Sequence, residues 1–225
     1  MIERTSFEMK EGIAWITLDD GKVNAMSSAM LREISARLDE ASAAEAVTVV
    51  SGREGIFSAG FDLNTLALGG ESAQEMLDAG VSLIKQFLTH PYPIVGSCTG
   101  SAYAMGAFLL LASDLRIGVQ GDWKVGMNEV AIGLTLPPFA LALARHRLTP
   151  AGTSQATTAA MFDPEQGQAH GYLDQLVRAE DFETTVLARA RELQTLDMPS
   201  FVGTKSAINE RVLAEIGRSR TLLAA

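Results

Sequence analysis

The chain has 225 residues, 47% of them apolar and 20% charged, which is an ordinary globular balance large enough for one sizeable core. Asp and Glu outnumber Lys and Arg, 27 to 18, and the resulting net charge of -9 argues against general affinity for nucleic acid or for anionic membranes. A lone cysteine, Cys98, rules out an intrachain disulfide or a Cys-based metal cluster, and His90, His146 and His170 are not spaced as metal ligands.

The first residues, Met1 to Arg4, lack the basic and apolar segments of a secretory signal, and the longest apolar run, Ala102 to Ala112, is too short to span a bilayer. The expectation is a soluble cytoplasmic protein. Thr5 to Lys10 and Ile13 to Leu18 read as a hairpin turning at Glu11-Gly12. Ser27 or Ser28 can cap a helix to about Ala43, with Met30, Ile34, Leu38 and Ala41 at helical spacing, and Val47 to Ser51 is a short strand. A glycine-rich loop runs from Ser51 to Leu63 directly after that strand end, where ligands collect in open α/β sheets. A helix from about Ala73 to Thr89 precedes Pro91.

Ile94 to Cys98 is β-rich and short, a buried strand. It feeds a Gly-punctuated turn at Gly100 and then a helix, apolar all round from Ala102 to Ala112, whose first N–H groups lack intrahelical partners. In a water-poor site those donors stabilise developing negative charge, so this stretch reads either as half of an oxyanion hole or as a packing helix whose glycines allow close approach. Leu115 to Val119 and Trp123 to Val125 read as strands, and Met127 to Gly133 as a loop carrying Glu129 among apolar neighbours. From Pro138 the pattern is helical: about Phe139 to Arg147, Pro150 to Met161, Pro164 to His170, Ala179 to Leu196 and Pro199 to Arg218. An α/β core over about 1–178 with a helical region over about 179–225, in one chain without internal repeats, is the predicted organisation.

Three segments, Phe57-Ser58-Ala59-Gly60-Phe61-Asp62-Leu63, Gly100 to Asp114 and Asn128 to Gly133, in that order and at those separations, resemble the crotonase (enoyl-CoA hydratase/isomerase) superfamily. The segment Gly21 to Met26, the turn Gly171 to Asp174 and the pair Thr204-Lys205 extend the likeness over nearly the whole chain. The resemblance implies a spiral of ββα units with a helical C-terminal region, assembly as trimers or dimers of trimers, and a coenzyme A thioester as substrate rather than a resident cofactor, with no metal. Matched residue by residue, it implies that the backbone N–H groups of Phe61 and Met105 grip the thioester oxygen. Larger side chains than the family's common small ones leave those donors intact, because a main-chain amide does not depend on its side chain. Asn24, Ala25, Ser58, Ala59, Gly60 and Gly106 fall where the family receives the coenzyme, Lys22 and Lys205 are its candidate phosphate contacts, and either lysine also reads as a solvated surface charge. Asp62 reads as a helix N-cap without a catalytic duty.

Family hydratases use two glutamates. Here one is Glu129, and the other position, three residues after Met105, is Phe108, which can neither donate nor accept a proton. A lone glutamate fits proton transfer from carbon 2 to carbon 4 of an enoyl thioester, as in Δ3,Δ2-enoyl-CoA isomerases. Burial among Met127, Val130 and Ile132 is expected to raise its pKa. Two alternatives stand: a hydratase in which Tyr103, Asp78, Glu71 or Glu75 supplies the second acid, or a catalytically silent acyl-CoA binder. Met76, Leu77, Leu83, Ile84, Phe87 and Leu136 are the candidates for an acyl tunnel. Cys98 reads as an inert core thiol, His90 and His146 as surface residues, and His170 as a helix end.

Overall fold

The computed structural model describes residues 3–223, with side chains through residue 218. Met1, Ile2, Ala224 and Ala225, which belong to the ranges read above, lie outside the described residues. The hairpin forms as its alternation predicts, with β1 (Thr5–Lys10) antiparallel to β2 (Ile13–Leu18) and Trp15 paired with Glu8. A two-residue strand β3 (Ala25–Met26) leads to α1 (Ser28–Ala43), capped by the Ser27 side chain, which accepts from the Met30 N–H.

From there the chain winds. β4 (Val47–Ser51), β7 (Ile94–Cys98) and β9 (Leu115–Val119) are parallel members of a six-stranded sheet ordered β1-β2-β4-β7-β9-β12, where β12 is Gln175–Val177. The strand following each of the first three, β5 (Gly55–Ser58), β8 (Gly100–Tyr103) and β10 (Val125–Gly126), belongs to a second sheet, completed by β11 (Met161–Phe162) antiparallel to β10. Each turn of the spiral thus gives one strand to each sheet before a helix returns the chain, the ββα repeat that the resemblance implies. β6 (Gly60–Phe61) pairs with β3, and α2 (Leu63–Leu68) and α3 (Gly70–Thr89) follow it.

α4 (Met105–Ala112) is the centre of the core: all eight of its residues are buried. It begins later than the apolar pattern suggests, because Gly100 to Tyr103 extend to pair with β5 and β10. The backbone then turns at Ala104, held at φ 48°, before the helix starts. Arg147 closes the other end of α4 by donating to the carbonyls of Leu111 and Ser113. The segment 129–132 is a short 3-10 helix rather than an open loop.

The remaining helices are α5 (Pro138–Arg147), α6 (Pro150–Gln155), α7 (Pro164–His170), α8 (Phe182–Gln194) and α9 (Met198–Leu223), proline opening three of them where no N–H is needed. The expected helix over Pro150 to Met161 stops at Gln155; a 3-10 turn at Ala156–Thr158 and β11 take its second half. α9 lies against α3 and α5. His90, read as a surface residue, is buried, its ring nitrogens within 2.9 Å of the Tyr92 carbonyl and 3.2 Å of the Leu38 carbonyl, so it ties α1 to the entry of β7. His146 is half-buried against the Asn209 side chain at 3.0 Å. No helix among the described residues is long and apolar enough to cross a membrane.

Candidate active site

Two glycines bring β5, β6 and α4 into contact. A Cβ on Gly60, whose φ is +90°, would stand 2.8 Å from both the Tyr103 carbonyl oxygen and the Ala104 Cβ, and one on Gly106 would stand 2.8 Å from the Ser58 carbonyl oxygen. Only hydrogen fits at either place, so the backbone around Phe61 lies directly beside the first turn of α4.

Both expected donors are main-chain amides of this junction. Asp62 N–H donates to the Met26 carbonyl at 3.4 Å, and since successive strand amides point to opposite sides, Phe61 N–H is directed away from β3. Ala104 carbonyl accepts the first α4 hydrogen bond, from Phe108 N–H at 2.9 Å, and Ala104 offers no side-chain cap, which leaves Met105 N–H as a first-turn donor without an intrahelical partner. Met105 itself is wholly buried.

Beside the junction lies a cavity of about 610 Å³. Ala59, Phe61 and Ala104 line one side, α3 contributes Gln74, Leu77, Asp78 and Val81, and the stretch from Asn128 to Phe139 supplies much of the rest. Glu129 lines it and is only 5% exposed. Burial pushes its carboxyl up to about 7, partly offset by a hydrogen bond from its own main-chain amide, and Oε2 has no hydrogen-bond partner among the described residues. Met127 is buried beside it as expected, but Val130 and Ile132 are about half exposed, so the cavity wall, to which Ile132 belongs and Val130 does not, is what dries the carboxylate. Buried Tyr172 shares its surroundings: burial first, and then the Glu129 charge, raise its phenol. Phe108, which the resemblance matches to a second glutamate, is wholly buried and packs edge-on against Phe139, ring centroids 5.5 Å apart.

A family model, enoyl-CoA hydratase/isomerase, matches residues 8–221. The chain belongs to the enoyl-CoA hydratase/isomerase family. A probable enoyl-CoA hydratase of Mycobacterium avium is 32% identical over 222 residues, covering 95% of this chain and 83% of that protein. An enoyl-CoA hydratase/isomerase family protein from Pseudomonas syringae superposes with a TM-score of 0.94 at 37% identity, over 96% of this chain and 94% of that one. An enoyl-CoA isomerase of Mycobacterium tuberculosis gives a TM-score of 0.91 at 36% identity, over 96% and 95%. The chain is therefore an enzyme of this superfamily, with kin that carry both activity names.

The residues matched to the family's coenzyme contacts separate in space. Ala59 lines the cavity, and Gly60 and Gly106 shape the junction beside it. Asn24 and Ser58 are turned inward: Asn24 Nδ2 donates to the Leu18 and Phe57 carbonyls at 2.9 and 3.1 Å, and Ser58 Oγ donates to the Asn24 carbonyl at 2.7 Å. Their side chains staple β2, β3 and β5 together, which leaves backbone groups and Ala25 to meet any ligand there. Ala25 N–H is itself taken by Asp20 Oδ2 at 3.0 Å. Lys22 is exposed at the preceding turn.

Lys205 is not the solvated surface charge it also reads as. Its Nζ is buried against Asp114 Oδ2 at 2.8 Å, in a separate cavity of about 200 Å³ under α9. Burial lowers its pKa, with Asp114 opposing. The Thr-Lys pair reads alike whether it faces a ligand or an internal carboxylate, so no sequence signal distinguishes the two.

Of the other residues read as candidates, Asp62 is the N-cap of α2, accepting from Asn64 N–H at 3.1 Å, and Glu75 pairs with Arg32 at 2.6 Å. Tyr103 hydroxyl lies 3.4 Å from Ser101 Oγ. Asp78 alone of the four candidate second acids lines the cavity. Leu77 and Leu136 line it too, whereas Met76, Leu83, Ile84 and Phe87 are fully packed core. Ile216 on α9 lines the cavity and was not foreseen, since a helical tail read as a packing annex gives no hint of which turn reaches the site.

Proposed function

We propose that this enzyme is a Δ3,Δ2-enoyl-CoA isomerase. The observation that carries the reading is one buried carboxylate, Glu129, lining an apolar cavity, while Phe108, which the resemblance matches to the family's second glutamate, is buried against Phe139. Ionised Glu129 takes a proton from carbon 2 of a 3-enoyl thioester. The negative charge moves to the carbonyl oxygen, where the N–H groups of Phe61 and Met105 hold it, each worth about 3 kcal/mol of transition-state stabilisation. Glu129 then returns the same proton to carbon 4, and the double bond lies between carbons 2 and 3. No water enters the balance.

A carboxyl that must accept and release one proton works best near neutrality, and the rise of Glu129 to about 7 supports that duty. Backbone near Ala25 and Ala59 is proposed to receive the coenzyme, Lys22 to meet a phosphate, and the assembly to be a homotrimer or dimer of trimers in the cytoplasm. Sedimentation checks the last.

Hydration is the second reading, favoured by Asp78 in the same cavity. Supplying 3-hexenoyl-CoA and 2-hexenoyl-CoA side by side tests the two. Conversion of the first to 2-hexenoyl-CoA, much faster than the second gains water, is expected. The opposite order overturns the isomerase reading.

A further inference from the structure

The residues around the 610 Å³ cavity grade from wet to dry. Leu63, Ile132 and Leu134 are 58%, 44% and 41% exposed and mark its mouth. Val81, Leu136, Phe139 and Ile216 are buried lining residues, and α9 packs against both α3 and α5 there. Ile216 is the one lining residue that α9 contributes among the described residues, and it is completely buried.

The helix that carries it is pinned to its own chain at three levels. Lys205 meets Asp114 at 2.8 Å, Asn209 Nδ2 donates to the Leu88 carbonyl at 2.9 Å, and Glu215 pairs with Arg145 at 2.9 Å. The buried anchors at Lys205 and Asn209 lie about two to three turns from Ile216, and the adjacent Glu215 is held by the exposed Arg145, so the wall acts as a stop that recedes only against these contacts.

We propose that Ile216 sets the length of acyl chain this enzyme accepts, the substrates being medium-chain, unbranched acyl thioesters. The proposal rests on the acyl-CoA reading above. The cavity holds roughly twenty groups of water size at about 30 Å³ each. With the thioester and neighbouring coenzyme atoms occupying about half of that, roughly eight to ten chain carbons fill the remainder before meeting Ile216.

The test is calorimetric titration with saturated acyl-CoA thioesters from butanoyl to tetradecanoyl. These ligands bind without turning over, so the result is independent of whether the enzyme isomerises or hydrates, and loss of the isomerase reading leaves it standing. In the wild type, affinity is expected to rise about fourfold per added methylene and then break at roughly eight to ten carbons. Ile216→Ala moves the break about two carbons longer and Ile216→Phe about two carbons shorter. Ile216→Val gives a smaller lengthening with less risk to folding, and thermal melts identify which variants are folded. A break at the same length in the wild type and in every folded variant overturns the proposal, as does affinity that rises without a break.

Discussion

The main-chain nitrogen of Met105 lies 3.4 Å from the point that a Cβ on Gly60 would occupy. That hydrogen-sized gap lets the Phe61 and Met105 amides share one junction. Gly60→Ala also forces a side chain onto a backbone at φ +90° and 2.8 Å from the Tyr103 carbonyl oxygen. It is expected to lower kcat/KM at least about a hundredfold by moving one donor, and stability by about 1–3 kcal/mol. Steady-state kinetics and a urea melt check both.

Activity follows the ionisation of Glu129. As a base it works only when deprotonated, so kcat/KM is expected to climb with pH and level off above about 7. The pH profile of 3-hexenoyl-CoA turnover checks this, and a profile flat from pH 5 to 8 denies Glu129 the role of base.

Stability carries the same signature with opposite sense. The folded carboxyl titrates near 7 against 4.5 in the open chain, so its contribution is fully present below pH 4.5 and is lost as pH rises through 7. The change amounts to about 3 kcal/mol. Wild type is expected to lose ground to Glu129→Gln over that window in urea melts across pH, with a constant difference above it.

The Lys205 and Asp114 pair behaves as an internal fastener. Asp114→Leu strands the buried Lys205 charge and is expected to cost about 3–5 kcal/mol, whereas Lys205→Met costs less, because Asp114 is partly exposed and still accepts from Ile94 N–H. The double variant recovers much of that loss, and a double-mutant cycle in urea measures the coupling. Additive losses indicate two independent surface charges instead.

Much of the fold is legible in the chain because its signals are local. The β-rich runs on either side of Glu11-Gly12 mark β1 and β2 to the residue, Ser27 marks the start of α1, and Pro164 that of α7. Strands of two residues escape such reading. β6 exists through a partner distant in sequence, the expected strand Trp123 to Val125 shifts to Val125–Gly126, and Ala102 and Tyr103 look helical until the pairing of β8 with β5 and β10 is known. In the site, Glu129, Phe61 and Met105 come from ordered motifs, and Gly60 and Gly106 prove to be contacts that exclude a side chain. Two tertiary facts lie beyond sequence. Lys205 finds Asp114 across 91 residues, and Ile216 reaches the cavity from the last helix.

The most direct measurement is single-turnover conversion of 3-hexenoyl-CoA by Glu129→Gln beside the wild type. If one carboxylate carries the proton from carbon 2 to carbon 4, the variant binds the substrate yet isomerises it at least about a hundredfold more slowly. Isomerisation within a few-fold of wild type contradicts the account.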